Sequence, residues 1–388
     1  MQPRETLTSE ELALLLTEPV QQAIAAARGR DPLEVALDRR IPHARLVATQ
    51  VKYLARARHK LPSFAAAQCI LPPRAFEQAS SEACAAHKCI EGDAVLDLTC
   101  GLGVDTLYLS RRFRRVVALE SDPLLARITA DNLARLGVRN VELLALRAEE
   151  YLAREGLRFD WIYADPDRRS AAGLKQLRLE ACSPDILALR PLIERAAPRL
   201  CLKNSPLFDV AEALRLFPQS RVEVLSLDGE CKEVLVYADG RGPARTATAL
   251  GLGSCTAEGA GETEVPPPPA FDPERYRWLV IPDVALQKAR LVRHHLAGRA
   301  DCWSENSYGF AAERPEGVLG RVCEIERIEP YDPRRLKRAW KGLGAEVLKR
   351  DFPLAVEEIM RRLGLHAGAD LRVAFTKTGN DFWAIRLK

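Results

Sequence analysis

The chain of 388 residues lacks several features that would assign it to a protein class at once. No apolar run approaches the 18 or so residues of a membrane-spanning helix. The N-terminus, MQPRETLTSEE, lacks the basic-then-apolar order of a secretory signal. The ten cysteines are scattered singly, with no C-x-x-C pair, so neither a zinc ribbon nor a disulfide framework is indicated. These absences predict a cytoplasmic protein with no membrane contact and no bound metal.

The chain also lacks a large excess of charge, because its formal net charge is only +4. Any affinity for nucleic acid must therefore come from local basic patches. The hydrophobic content of 47% is ordinary for a globular protein. The length exceeds what one core supports, which predicts two or three domains.

The most informative stretch is Ala94–Asp105, AVLDLTCGLGVD, which predicts a buried strand, a tight glycine turn and then a helix. Gly101 and Gly103 allow backbone to approach a ligand closely, and the helix N-terminus presents free N–H groups. A dinucleotide fingerprint would have a third glycine or alanine where Thr106 stands. The next predicted strand, Arg115–Glu120, ends in a carboxylate at the spacing of an acid that accepts hydrogen bonds from a ribose diol.

Strands and helices alternate regularly from residue 94 onward, which predicts a parallel sheet covered by helices on both faces. The predicted strands are Ala94–Leu98, Arg115–Glu120, Val141–Ala145, Trp161–Ala164, Arg199–Lys203, Val222–Leu227 and Glu233–Ala238.

On these motifs, Gly92–Arg169 resembles the class I S-adenosylmethionine-dependent methyltransferases. The resemblance implies an α/β fold: a Rossmann-like class I methyltransferase sheet, with an N-terminal helical region and a smaller α+β C-terminal domain. It implies S-adenosylmethionine as cofactor, held by Asp97, Thr99, Gly101, Gly103, Asp105, Glu120, Ser121, Ala148 and Glu149. Family members usually place an acid for the adenine amino group after the third strand, where this chain has Arg147-Ala148. Either Glu149 replaces that acid or backbone groups alone hold the adenine.

The reacting end is predicted at Tyr163–Arg169, YADPDRR, where the fourth strand ends. Asp165 is the candidate to hold or deprotonate an attacking N–H or O–H group. Arg168 stands where enzymes that methylate exocyclic base amines carry an aromatic residue, so that chemistry is not assigned. Arg168 and Arg169 either clamp an acceptor phosphate or carboxylate, or form structural ion pairs. Lys203 and Lys232 are further cations expected near strand ends.

Three flanking stretches have two interpretations each. The predicted helix Phe76–Lys88 carries Gln78 and Ser80, which either cap it or contact a ligand. A predicted helix at Pro42–Lys60 has many cations around Tyr53, which form either a solvated face or a phosphate-binding surface. In Tyr331–Lys388, cations around Tyr331 and Trp340 have the composition of a nucleic-acid surface or of a solvated helix.

Lys349-Arg350-Asp351-Phe352-Pro353-Leu354 and the helix after it resemble a THUMP-like module, and THUMP domains are associated with RNA. The predicted domains are a helical region (1–75), a methyltransferase domain (76–252), a linker (253–272), a ferredoxin-like unit (273–330) and a THUMP-like unit (331–388). The predicted function is methyl transfer to RNA, with Asp165, Arg168 and Arg169 at the acceptor. The alternatives are a protein or small-molecule methyltransferase, and a non-catalytic RNA-binding protein with a vestigial cofactor pocket.

Overall fold

The computed structural model describes residues 7–167, 179–259, 261, 265–266 and 268–388. Its backbone contacts divide the chain into two compact units. The first unit comprises Met1–Leu207 and Val236–Gly240, and the second comprises Phe208–Leu235 and Arg241–Lys388.

The first unit opens with seven helices. They are α1 (Ser9–Leu15), α2 (Glu18–Ala26), α3 (Pro32–Leu37), α4 (Ala44–Lys60), α5 (Pro62–Ala66), α6 (Pro73–Gln78) and α7 (Glu82–His87). Thr8 and Glu11 form a reciprocal capping box that begins α1. The longest helix, α4, lies within the predicted span Pro42–Lys60.

A parallel sheet with its helices follows. Its elements are β1 (Gly92–Asp97), α8 (Val104–Ser110), β2 (Phe113–Leu119), α9 (Pro123–Arg135), β3 (Val141–Leu144), α10 (Ala148–Leu152), β4 (Trp161–Ala164), α11 (Ile186–Ala196) and β5 (Leu200–Asn204). The strand order is β3-β2-β1-β4-β5, and every neighbouring pair is parallel. The order reverses between β1 and β4, which is where open α/β sheets form their ligand crevice. The predicted Rossmann-like sheet is therefore confirmed.

The N-terminal helices share their apolar core with this sheet. Val47 and Val51 of α4 belong to the same buried cluster as Ile128 of α9. The Asn132 side chain of α9 accepts from the backbone N–H of Ile70 (2.7 Å) and donates to the Ile70 carbonyl (2.9 Å). Because these contacts are buried and hydrogen-bonded, the helical region is held firmly against the sheet.

The stretch predicted as one helix, Phe76–Lys88, is two short helices, α6 and α7. The Ser81 hydroxyl accepts from the backbone N–H of Cys84 (3.2 Å) and thus caps α7. Cap residues need extended backbone, and Ala79 and Ser81 both adopt it. The prediction of a continuous helix was wrong because a local hydroxyl competes for the backbone at this point.

The second unit begins with α12 (Val210–Leu216), β6 (Arg221–Leu227), β7 (Glu230–Ala238), whose end lies in the first unit, β8 (Ala244–Ala249) and β9 (Gly253–Glu258). β8 pairs in parallel with β6 and antiparallel with β9. The segment with linker composition, 253–272, therefore begins with a paired strand.

The remaining elements build a second sheet. They are β10 (Trp278–Pro282), α13 (Val284–Lys288), α14 (Val292–Leu296), β11 (Asp301–Cys302), β12 (Gly309–Ala311), β13 (Gly320–Pro330), α15 (Pro333–Trp340), β14 (Gly344–Lys349), α16 (Val356–Leu363), β15 (His366–Ala367), β16 (Leu371–Thr378) and β17 (Asp381–Leu387). The order is β11-β12-β10-β13-β17-β16-β14-β15. The long strand β13 pairs with both β10 and β17, so one sheet contains strands from both 273–330 and 331–388.

The sequence pattern over Asp283–Leu296 predicts one helix, but this stretch is also two helices, α13 and α14. Arg290 between them has a φ of 54°, in the left-handed region. The Glu305 carboxylate accepts from the backbone N–H groups of Val292 (2.7 Å) and Arg293 (3.3 Å) at the start of α14. A side chain from elsewhere thus starts a new helix where the sequence pattern alone predicts continuation.

Helix α15 separates its apolar side chains from its cations. Leu336 and Trp340 are buried in the core of the second sheet. Arg334, Arg335, Lys337, Arg338 and Lys341 are exposed. Tyr331 packs against the same core, with its ring 5.0 Å from Phe352. The interpretation of Trp340 as part of a nucleic-acid surface is therefore corrected, because burial leaves its ring no free face for a base to stack on. Tyr331 is only partly buried against this core.

Candidate functional site

The glycine turn between β1 and α8 has the backbone that its residues demand. Gly101 and Gly103 have φ values of 55° and 83°, where other residues are strained. A Cβ on Gly103 would lie 2.7 Å from Cγ2 of Thr129, so close packing on α9 also requires glycine there. A Cβ on Gly101 would meet only the Thr99 carbonyl, at 4.0 Å. Gly101 therefore leaves its outer face accessible to a ligand.

Asp97 lies beneath this turn and has no solvent exposure. One carboxylate oxygen accepts from the backbone N–H of Thr99 (3.0 Å), and the other accepts from the Thr106 hydroxyl (2.6 Å). Burial raises its pKa to about 7, although these hydrogen bonds act in the opposite direction. Thr106, which replaces the third glycine of a dinucleotide fingerprint, is thus the partner that ties Asp97 to α8.

Glu120 lies at the other end of the turn. Its carboxylate accepts from the backbone N–H of Gly101 (2.9 Å) and from that of Asp122 (2.8 Å). The Ser121 hydroxyl is 3.4 Å from one of its oxygens. Burial raises the pKa of Glu120. A carboxylate offers about four acceptor positions, so Glu120 retains capacity for a hydroxyl while it fixes Gly101.

Asp105, in the first turn of α8, is held by two side chains. The Ser80 hydroxyl donates to one carboxylate oxygen and the Lys88 ammonium to the other, both at 2.7 Å. Burial alone would raise the pKa of Asp105, but the charges of Lys88 and Lys203 outweigh burial and lower it to about 2. Of the two interpretations of the Phe76–Lys88 stretch, Ser81 supplies the cap and Ser80 contacts Asp105.

Asp165 follows β4, and Lys203 lies at the end of the adjacent strand β5. The Lys203 ammonium forms an ion pair with the Asp165 carboxylate, and both side chains are at least two-thirds buried. The Thr99 hydroxyl accepts from the backbone N–H of Asp165 (2.6 Å), which joins the ends of β1 and β4. Two residues further on, the Asp167 carboxylate lies 3.5 Å from the Gln78 amide nitrogen.

The predicted adenine-binding residues lie at the start of α10. Ala148 is buried in the first turn of this helix. Arg147 precedes it and forms an ion pair with Glu149 at 3.4 Å, with both side chains at least 40% exposed. Glu149, the candidate to replace the usual acid at the adenine, therefore already pairs with a cation. Such an exposed pair is weak and yields readily to a ligand.

The structure thus brings together most of the predicted site residues around one edge of the first sheet, where Asp97, Thr99, Gly101, Gly103, Asp105, Glu120 and Asp165 all lie. Arg168 and Arg169 lie outside the described residues. The sequence alone does not reveal that Lys88 pairs with Asp105 and Lys203 with Asp165. For Lys203 a signal existed, since the carboxyl ends of two adjacent parallel strands meet at the same edge.

Known proteins resemble this chain both in parts and over most of its length. A family model described as "Conserved hypothetical protein 95" matches residues 76–186, and a model described as "THUMP domain-like" matches residues 320–388. An uncharacterized S-adenosylmethionine-dependent methyltransferase of Mycobacterium tuberculosis is 28% identical over 330 residues, which cover 82% of this chain and 87% of that protein. A crystal structure from Porphyromonas gingivalis, assigned as a methyltransferase, superposes with a TM-score of 0.81 at 24% identity and covers 99% of both chains.

The chain is an S-adenosylmethionine-dependent methyltransferase with a class I fold. The predicted family and fold class are therefore confirmed. Two further relatives resemble only part of this methyltransferase. Ribosomal RNA small subunit methyltransferase J of Francisella philomiragia is 34% identical over 25% of this chain and 47% of its own length. A 23S rRNA (uracil-C5)-methyltransferase of Edwardsiella ictaluri is 37% identical over 25% of each chain.

Among the described helices, none is both long and apolar enough to cross a bilayer. Within the described ranges, no group of three or more histidine, cysteine or acidic side chains is arranged to hold a metal ion. His295, one of the adjacent histidines of α14, instead accepts a hydrogen bond from the backbone N–H of Leu319 (2.9 Å).

Proposed function

We propose that this methyltransferase transfers the methyl group of S-adenosylmethionine to RNA, in the cytoplasm. One set of residues would hold the cofactor, a second would face the acceptor, and a surface of the second unit would bind RNA.

The glycine turn and Glu120 are proposed to hold the adenosine part of the cofactor. Gly101 allows close approach of the backbone, and the remaining acceptor capacity of Glu120 suits the ribose hydroxyls. Ser121, Ala148 and Glu149 are proposed to flank the base. Asp97 has no exposure, so we assign it a positioning role through Thr99 and Thr106. Asp105 is proposed to lie near the methionine end, with Ser80 and Lys88 orienting it.

Bound S-adenosylmethionine would supply a methyl group on a sulfonium, so that an acceptor nucleophile bonds to the methyl carbon in line while the carbon–sulfur bond breaks and the sulfur leaves as a neutral thioether. The protein therefore needs mainly to orient the acceptor and to receive its proton. Asp165 is proposed for both tasks, because its carboxylate lies where β4 ends and is only two-thirds buried. Lys203 compensates the charge of Asp165 and fixes its direction. Arg168 and Arg169 follow in sequence and are proposed to clamp an acceptor phosphate.

The charged surface of helix α15 is the structural feature that favours RNA as the acceptor. This helix and the residue after it present five exposed cations, and residues 333–341 contain no acid. Only Arg335 has an ion pair within the described part of the helix, to Glu329 at 3.4 Å. Unneutralised cations on one helix face suit a phosphate backbone. The THUMP domain-like match over 320–388 and the ribosomal RNA methyltransferases among the relatives support the same acceptor class.

The test is transfer of tritiated methyl groups to ribosomal RNA purified from cells that lack this protein. We expect label in RNA with the wild-type protein, and loss of that label with Asp165→Asn. Mass spectrometry of the digested RNA then identifies the methylated nucleoside. Label that enters only protein or small molecules would reject RNA as the acceptor. S-adenosylmethionine that fails to bind in calorimetry would support a vestigial pocket instead.

A further inference from the structure

Helix α4 of the N-terminal region carries five lysines and arginines and no acidic residue over Ala44–Lys60. At about 100° per residue, four of these cations fall within an arc of roughly 80° on one side of the helix. We call them the basic stripe: Arg45, Lys52, Arg56 and Lys60. The stripe runs about 22 Å along the helix, at 1.5 Å per residue. Arg58 points to the opposite side.

The basic stripe is displayed on a fixed support. The opposite face of α4 buries Val47, Val51 and Ala57, each at most 4% exposed. Arg45, Lys52 and Arg56 are exposed, while Lys60 is partly covered. Within α4 itself no large apolar side chain is exposed, whereas a helix that binds a membrane surface presents an exposed apolar face. A rigid row of cations suits a chain of phosphates.

One end of the basic stripe connects to the candidate site. Arg56 forms an ion pair with Glu77, and the Lys60 ammonium donates to the backbone carbonyls of Phe76 (2.6 Å) and Glu77 (3.2 Å). The next residue, Gln78, contacts the Asp167 carboxylate. The Lys60 end of the basic stripe therefore contacts Glu77, which is the neighbour of Gln78 in sequence. The Gln78 side chain in turn lies beside Asp167, close to the predicted acceptor position.

The cations of the stripe divide into two kinds. Arg56 and Lys60 fasten α4 to the segment that enters the site. Arg45 and Lys52 lie further out, and neither forms an ion pair within the ranges that the structure describes. A structural role explains the first two. Lys52 lies 5.7 Å from the centroid of the Tyr53 ring, but this contact leaves its positive charge without a carboxylate partner among the described residues, and Arg45 has none there either.

We propose that the basic stripe of α4 binds the phosphate backbone of the RNA strand that leads away from the methylated nucleotide. The inference rests on the proposed function, and it adds a recognition surface in the N-terminal region to the one on α15. The charge, the exposure and the connection to Gln78 carry it.

The test compares two double variants with the same change in charge. Arg45→Ala/Lys52→Ala removes the outer cations of the stripe, and Arg28→Ala/Arg58→Ala removes two exposed arginines elsewhere on the helical region. Each protein is titrated into fluorescein-labelled ribosomal RNA at several KCl concentrations between about 50 and 300 mM. Phosphate contacts weaken measurably over this range. S-adenosylmethionine affinity and thermal unfolding show that each variant is folded.

We expect Arg45→Ala/Lys52→Ala to make the negative slope of log K against log salt shallower by roughly 1.5. The same variant should bind RNA roughly 10- to 30-fold more weakly at 150 mM salt. The cofactor affinity should stay unchanged. The Arg28→Ala/Arg58→Ala control should keep the wild-type slope. Equal losses in both variants, or an unchanged slope in the stripe variant, would overturn the inference. If the wild-type protein itself neither binds nor methylates RNA, the proposed function fails instead.

Discussion

Replacing Gly103 with alanine tests the geometry of the cofactor turn most directly. Two independent costs apply at this position. The φ of 83° requires a left-handed backbone, which costs about 1–2 kcal/mol for alanine. The new Cβ would also lie 2.7 Å from Cγ2 of Thr129 on α9, and overpacking of this kind costs about 1–3 kcal/mol. We therefore expect Gly103→Ala to lower the free energy of unfolding by about 2–5 kcal/mol.

The chain offers a matched control in Gly137, which follows the C-terminus of α9. Gly137 has a similar φ of 75°, but a Cβ there would have no atom within 4 Å. Gly137→Ala should therefore show only the backbone cost of about 1–2 kcal/mol. A second variant isolates the clash. Thr129→Ser removes the Cγ2 methyl and keeps the hydroxyl that donates to the Gly101 carbonyl (2.7 Å).

The assay is chemical denaturation followed by circular dichroism, together with calorimetric titration of S-adenosylmethionine. In a double-mutant cycle, Thr129→Ser should recover about 1–2 kcal/mol of the loss caused by Gly103→Ala. Cofactor affinity should fall with Gly103→Ala and stay near wild type with Gly137→Ala. The reasoning is wrong if both glycine variants lose equal stability, or if the cycle shows no coupling between residues 103 and 129.

Three further predictions concern the acids of the site. Glu120→Ala should weaken S-adenosylmethionine binding about 10- to 100-fold in calorimetry, because a charged hydrogen-bond acceptor is lost; unchanged affinity would remove Glu120 from the pocket. Asp165→Asn should lower kcat about 100-fold or more. Lys203→Met should lower kcat with little effect on cofactor affinity. Wild-type turnover in both variants would show that this ion pair has only a structural role. Burial raises the pKa of Asp97 to about 7 from 3.8, so the folded chain keeps a proton that the unfolded chain has lost. The free energy of unfolding of the protein should therefore fall as pH rises from about 4 to 7, by something on the order of 4 kcal/mol. Asp97→Asn should flatten this part of the profile of stability against pH. Parallel profiles for the wild type and this variant would refute the raised pKa of Asp97.

The first sheet was predictable because its signals are local. Trp161–Ala164 is an apolar run, and β4 has the predicted bounds. The two failures of helix prediction share a different cause. At Ser81 and at Val292, a single hydrogen-bond acceptor starts a new helix inside a pattern that looks continuous. For Val292 this acceptor is Glu305, thirteen residues away, so no local pattern reveals it.

The surface of the second unit illustrates the same limit. The sequence shows cations interleaved with Tyr331 and Trp340, and composition cannot distinguish an aromatic ring on the surface from one in a core. The tertiary structure decides the matter, because both rings pack on β16 around Phe375. The cations remain exposed while Trp340 is buried, so the charges of the predicted nucleic-acid surface are retained and the Trp340 ring is not part of it.

By itself, the sequence determined the glycine turn, the acid 19 residues after Gly101, and the alternation that builds a parallel sheet. These features depend on backbone freedom and on side-chain periodicity, which neighbouring residues specify. Only the tertiary structure decided which charges meet. Lys88 reaches Asp105 and Lys203 reaches Asp165 because folding brings distant helices and strand ends together. A buried ion pair depends on position in space, and sequence spacing does not encode that position.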